Sequence, residues 1–266
     1  MEKIWLNSYP KGVPSSIEDV PNISILDLMK NASSEFSDNI AFTSLNTKLS
    51  YKDIDDYSSR FGAYLQHELF LEKGCKIAIM LPNLFTYPVA LFGCYKIGAV
   101  VINLNPLFKG REIENTLNDS GAETIIVLDK FVNELDKVIK GTKIKKVIVC
   151  RVSDLLSWQM SLLVNVVTFF KKESIKFSES YIPFVRAISS KYNLKKITIM
   201  PDDIALLQYT GGTTGKSKAA VLTHNNILSN IQQLDLWVGP HVSKGREIII
   251  TALPLYHIFS FSVNFI

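Results

Sequence analysis

"LQYTGGTTGKSKAAVLTHNNI", residues 207–227, decides how this chain is read. Gly211, Gly212 and Gly215 let the backbone take positive φ and come close to anionic oxygens. Thr210, Thr213 and Thr214 add hydroxyl donors, and Lys218 adds a point charge. The preceding "DDIALLQYT" reads as a strand that runs through Tyr209 into the loop. Thr223 stands where it can cap a helix with Ile227, Ile231 and Leu234 on its buried side. A turn with no ligand would have to explain three glycines, three threonines and Lys218 within the nine residues from Thr210. The composition points to a loop that holds phosphate.

A P-loop has the form G-x-x-x-x-G-K-[ST]. Gly215, Lys216 and Ser217 supply its ending, but position 210 is Thr and the nearest glycine is Gly211, one residue too close. That spacing sets how backbone N–H groups wrap a phosphate. A P-loop also follows the first strand of its domain, whereas here some two hundred residues come first.

Working outward, residues 1–150 alternate helix and strand signals. Ile54, Tyr57, Phe61, Leu65 and Leu69 share one helical face, and Ser50 with Asp53 is placed as an N-terminal cap. "KIAIML", "VVINLN", "ETIIVL" and "KKVIVC" read as buried strands. Helices are expected through "FTYPVALFGCYKIGA", through "GREIENTLNDSG" with a stop at Gly121, and from Lys130 to Lys140. Continuous apolar strands alternating with helices predict an α/β fold with parallel sheets covered by helices. No GxGxxG follows any strand, so a dinucleotide site has no support. Residues 151–200 form a basic, less regular connecting segment. Residues 201–266 form a second α/β region that carries the loop, with "REIIITALP" expected as a further strand.

Composition narrows the class. The chain has 266 residues, 47% hydrophobic and 20% charged, as in a globular protein with a sizeable core. The net charge is +4, and only five of the 29 basic residues are Arg, which argues against a nucleic-acid groove. Cys75, Cys94 and Cys150 show no pairing pattern and read as buried reduced thiols. The four His have no metal-ligand spacing, so no metal ligand is assigned. The opening "MEKIWLNSYPKG" lacks the build of a signal peptide, and the expected location is cytoplasmic. Leu155 to Phe170 is too short to span a bilayer, which takes ~20 apolar residues. With Lys171 and Lys172 after it, this stretch reads either as a membrane-surface element or as a helix packed on the core.

"YTGGTTGKSKAAVLTHNN" resembles the phosphate-loop signature of the adenylate-forming superfamily, Y-T-[SG]-G-T-T-G-x-x-K-G-x-x-x-T-H, which includes acyl-CoA synthetases, luciferases and peptide-synthetase adenylation domains. "ALPLYHIF", residues 252–259, resembles the second signature of that family. "WLNSYPKGVP", "MLPN", "YPVALFG" and "LNDSGA" are similar to segments of bacterial long-chain-fatty-acid–CoA ligases, the nearest match, over their N-terminal portion only.

The resemblance implies an acid–thiol ligase. A fatty acid carboxylate attacks ATP to give an acyl-adenylate and pyrophosphate, and coenzyme A then displaces AMP. ATP, a long-chain fatty acid and CoA are the implied substrates, with Mg2+ as cofactor and peripheral contact at the inner face of a membrane. By the same resemblance Tyr209, Thr210, Gly211, Gly212, Thr213, Thr214, Gly215 and Lys218 bind the nucleotide. Thr214, Lys218 and His257 are the implied catalytic set, with His257 shaping the acyl-adenylate pocket or, on the residues alone, serving as a core histidine. His224 is expected to close the loop structurally. Ala219 stands where the family has Gly, and a positive φ there would cost ~1–2 kcal/mol. Because the chain stops in "FSFSVNFI", and the family's Thr-Glu motif, ribose-binding Asp and C-terminal domain would follow it, a fragment inactive alone is expected. A non-catalytic remnant and a P-loop-like NTPase are the alternatives.

Overall fold

The structure, a computed structural model, describes residues 3–17, 23–170, 178–210 and 218–265. Ser24 opens α1 (Ile25–Glu35) with a reciprocal cap: its hydroxyl accepts the Asp27 N–H while the Asp27 carboxylate accepts the Ser24 N–H. β1 (Ile40–Ser44) and β2 (Thr47–Ser50) then form an antiparallel hairpin. Its two turn residues, Leu45 and Asn46, have φ of 44° and 55°. Such turns favour Asn or Gly at both places, so Leu45 hides the hairpin from sequence reading. α2 (Tyr51–His67) starts at Ser50 with the cap expected from Asp53.

The next elements follow the sequence signals: β3 (Lys76–Met80), α3 (Thr86–Lys96), β4 (Val100–Asn103), α4 (Arg111–Ser120) and β5 (Thr124–Leu128). Gly121 stops α4 in the left-handed region at φ 68°. The helix expected from Lys130 to Lys140 is reduced to α5 (Val132–Asp136), flanked by single 3-10 turns. The β-branched Val138 and Ile139, just before Gly141, oppose a longer helix. β6 (Lys146–Cys150), α6 (Trp158–Phe170), β7 (Ile182–Pro183) and α7 (Phe184–Ile188) come next. β8 (Ile204–Thr210), β9 (Lys218–Thr223), α8 (His224–Val238) and the short α9 (Ile258–Ser260) complete the series.

Seven strands join in one sheet, in the order β7-β6-β5-β3-β4-β8-β9. Every neighbouring pair is parallel except β8 with β9. Alternation along β3 sends Ile77 and Ile79 to one face and Ala78 and Met80 to the other. The first pair packs in a core with Phe61, Leu91 and Phe184, and the second in a core with Ile113, Leu117 and Leu135. Both faces are thus covered by helices, as a parallel sheet requires. α2 and α3 lie so close that a Cβ on Gly93 would sit 2.5 Å from Phe61 Cδ1. At that contact the buried Lys96 Nζ reaches Asp55 Oδ1 at 2.6 Å and Ser59 Oγ at 2.7 Å. Burial lowers the pKa of Lys96, and the hydrogen bond and charge of Asp55 oppose that shift.

Two expectations change. "REIIITALP" is not a strand: among the described residues no strand pairs with it, and Ile248 and Ile250 are 92% and 87% exposed. β propensity does not make a strand where no neighbour accepts its N–H groups. Core packing fails for α6, in which no residue is buried. The thiols are as expected, with Cys94 and Cys150 buried and Cys75 partly so, all free.

Candidate functional site: the loop at the carboxyl edge of the sheet

In a parallel sheet, ligands collect beyond the carboxyl ends of the strands. β3, β4 and β8 run parallel, with Ala78 beside Ile102 and Asn103 beside Gln208, so their carboxyl ends share one edge. The glycine-threonine loop leaves from that edge. Its members Gly211, Gly212, Thr213, Thr214 and Gly215 lie outside the described residues. Its two ends are described. Thr210 is paired with Lys218 across the β8–β9 ladder, and Thr210 Oγ1 lies 3.5 Å from the Lys218 carbonyl oxygen. Chain direction is reversed between β8 and β9, and at the ends of the two strands one hydroxyl-bearing and one ammonium-bearing residue, Thr210 and Lys218, stand opposite each other.

This reversal bears on the P-loop reading. A P-loop passes from its strand directly into a helix at the Lys-Ser/Thr step. Here Lys218–Thr223 returns as an antiparallel strand, and α8 begins only at His224. Ala219 sits within β9 opposite Tyr209 and is not among the residues with positive φ, so the strain expected there does not arise.

Neighbouring elements fix the hairpin. Tyr209 donates its hydroxyl to Asp119 Oδ2 on α4 at 2.5 Å. Burial, and then the hydrogen bond and charge of Asp119, raise the Tyr209 pKa, so the hydroxyl keeps its proton. Thr223 caps α8 by accepting the Asn226 N–H at 3.1 Å, while Asn226 Oδ1 accepts the Thr223 N–H at 3.0 Å. His224 is buried, at 1% exposure. Its Nδ1 faces the Ile25 N–H at 3.4 Å, and its ring meets Tyr95 edge-on at 5.3 Å. Burial pushes its pKa down to about 4 against the pull of Asp203 and Asp27. It is a packed neutral imidazole at the first position of α8, against α1 and α3.

The second motif is held at the same edge from the end of β3. Asn83 Nδ2 donates to the carbonyls of Thr251 at 3.2 Å and Leu253 at 2.9 Å, and its Oδ1 accepts the Leu255 N–H at 2.9 Å. The buried Tyr87 donates to the Leu255 carbonyl at 3.0 Å and lies 3.2 Å from Asn103 Oδ1. His257 follows, exposed, with its Nδ1 accepting the Phe259 N–H at 3.4 Å at the start of α9. It is not a core histidine. Phe261 is fully buried in the core, whereas Phe259 is 57% exposed. A cavity of about 820 Å3 opens between α1, β1, Asn83 and residues 247–251, and neither Thr210 nor Lys218 lines it. Asn83, Tyr87 and Asp119 were missed as positioning residues, although "MLPN", "YPVALFG" and "LNDSGA" each contain one of them. Among the described residues no three His, Cys, Asp or Glu side chains come together to hold a metal.

A parallel α/β sheet with an antiparallel loop-bearing hairpin at its carboxyl edge is a fold shared with solved CoA ligases. The crystal structure of a long-chain-fatty-acid-CoA ligase from Archaeoglobus fulgidus matches with a TM-score of 0.70 at 22% identity, covering 96% of this chain and 46% of that one. The chain belongs to the AMP-binding enzyme family, whose model matches residues 29–266. It is 41% identical over 268 residues to the long-chain-fatty-acid–CoA ligase of Escherichia coli O157:H7, covering 99% of this chain and 48% of the relative. It is 30% identical over 263 residues to the ligase of that name from Bacillus subtilis strain 168, covering 97% of this chain and 46% of the relative. The chain thus spans about half the length of the curated relatives it matches.

Proposed function

We propose that this chain serves a long-chain fatty acid–CoA ligase. The acid's carboxylate attacks the α-phosphorus of ATP and expels pyrophosphate; the CoA thiol then attacks the acyl carbonyl, loses its proton and expels AMP. The observation that carries the reading is the 41% identity, over 99% of the chain, to a ligase named for that reaction. In this reading residues 201–266 carry the nucleotide loop, 1–150 supply the sheet beneath it, and 151–200 connect them. Thr210, Gly211, Gly212, Thr213, Thr214, Gly215 and Lys218 hold the β- and γ-phosphates, and Tyr209, bonded to Asp119, steadies the strand end that leads into the loop. Donors on a leaving pyrophosphate stabilise charge that grows in the transition state. His257 shapes the pocket beside the adenylate. Mg2+ belongs to the reading through the family; the described residues offer it no ligand cluster, so no step is assigned to it.

Ala219, paired with Tyr209 in β9 and without positive φ, lends no support to a non-catalytic remnant. A water-insoluble acid would meet the protein at a membrane, so peripheral contact at the inner face of a bilayer belongs to the same reading. Among the described residues no helix is long and apolar enough to cross a membrane. The test is exchange of labelled pyrophosphate into ATP with oleate, with acetate and with no acid. It is run on the chain itself and on the chain joined to the remaining half of the Escherichia coli relative. Exchange that depends on oleate supports the reading. ATP hydrolysis indifferent to any acid overturns it.

A further inference from the structure

α6 connects β6 to β7, which are parallel neighbours. A crossover helix in such a unit packs back on its sheet and buries one face. α6 buries none of its 13 residues. Trp158, Leu162, Leu163, Phe169 and Phe170 are between 54% and 78% exposed. The less exposed residues Met160, Val164 and Thr168 recur one turn apart and mark the side nearer the protein. From Trp158 to Phe170 there is no charged side chain. An uncharged helix with an apolar outer face calls for a cover.

We propose that α6 is a membrane-docking element that lies in the plane of a bilayer bearing anionic headgroups. Its length fits that use. Thirteen residues make a helix of about 20 Å, too short for a hydrocarbon core of ~30 Å but sufficient to lie along its boundary. Trp158 stands at one end and Phe169 and Phe170 at the other, so aromatic rings bracket the aliphatic stretch, and such rings favour the interface. The hydroxyl of Thr168 is satisfied within the helix by the Val164 carbonyl at 2.8 Å, which lowers its cost in apolar surroundings.

Charge selects the lipid. Residues 130–200 carry fourteen Lys and Arg against five Asp and Glu, whereas the rest of the chain carries fifteen against twenty. Lys171 and Lys172 follow α6 directly in sequence. Basic residues beside an anionic surface each contribute ~1 kcal/mol. The same charge disfavours a second copy as the cover, because a symmetric pair would bring two net-positive segments together. The proposal deepens the peripheral-contact part of the reading above by naming the element and the lipid, and it needs neither ATP nor a fatty acid.

The test uses the full chain with Trp5→Phe and Trp237→Phe, leaving Trp158 as the single indole. Flotation is measured with phosphatidylcholine vesicles, with and without phosphatidylglycerol. The expected result is flotation that strengthens with phosphatidylglycerol and weakens with salt. Trp158 emission shifts to the blue and is quenched by acyl-brominated lipid. Leu162→Asp with Phe169→Asp lowers partitioning about tenfold or more and leaves the circular-dichroism melt unchanged. No flotation, flotation indifferent to that double substitution, an unquenched Trp158, or an α6-dependent dimer that ignores vesicles would each overturn the proposal. Lost flotation with intact pyrophosphate exchange sinks this proposal alone; lost exchange with intact flotation sinks the ligase reading alone.

Discussion

Asn83 holds Leu255 from across the sheet edge: its Oδ1 accepts the Leu255 N–H at 2.9 Å while its Nδ2 donates to the Leu253 carbonyl at 2.9 Å. One side chain thus satisfies three backbone groups of residues 251–255, the Thr251 carbonyl being the third. Asn83→Ala removes all three bonds and leaves the Leu255 N–H without that acceptor. The expected loss is about 1–3 kcal/mol in urea unfolding. Local loosening should also raise hydrogen exchange at 251–257 above that of the rest of the sheet. Exchange that rises uniformly would assign Asn83 a general packing role.

The strand β9 ends in the reciprocal cap that Thr223 and Asn226 form at the start of α8. Thr223→Ala deletes the reciprocal cap of α8 and should cost ~1 kcal/mol, while Thr223→Ser, which keeps the oxygen, should cost less than half as much. Thermal melts of the three proteins measure this. Equal losses for Ala and Ser would show that the methyl group matters and the cap does not.

Much of this was legible in the sequence because local signals and tertiary structure agree. The Ser50–Asp53 cap, the stop at Gly121 and the unbroken apolar runs of β3 to β6 each carry their own physics. What stayed hidden depends on partners distant in sequence. β9 could not be read, because "KAAVLT" becomes a strand only by folding back on β8. Ile248–Ile250 shows the reverse: strong β formers remain irregular with no strand beside them. Asp119, Asn83 and Tyr87 look like ordinary cap, turn and helix residues until the sheet brings them to Tyr209 and Leu255.

Two buried groups set opposite pH slopes. His224 is neutral in the fold down to about pH 4, whereas the unfolded chain protonates it near 6.5. Between those values the unfolded state binds the extra proton, so stability falls as pH falls. Asp154 has its pKa raised by burial to about 6. Between about 6 and 4 its folded form holds the proton instead, so its contribution grows as pH falls. Each amounts to ~3 kcal/mol at most. His224→Gln should flatten the loss of stability on acidification, and Asp154→Asn should steepen it. Urea midpoints from pH 7 to pH 4 check both signs; identical slopes in the two variants would refute the assignment.

Lys218 stands at the exit of the loop, paired in the ladder with Thr210, whereas Lys216 lies within the segment outside the described residues. The resemblance to adenylate-forming enzymes assigns the phosphate-binding ammonium to Lys218; a P-loop places it at the Gly-Lys step that opens a helix. The two readings therefore assign different lysines. Because the chain returns as a strand at Lys218, Lys218→Ala should weaken pyrophosphate and ATP binding by about tenfold or more, the scale of one charge-assisted contact. Lys216→Ala should change it by less than about threefold, on the scale of a solvated charge. Calorimetric titration of both variants decides the matter. Binding lost with Lys216 and kept without Lys218 would restore the NTPase reading, although it would leave unexplained how a P-loop could end in an antiparallel strand.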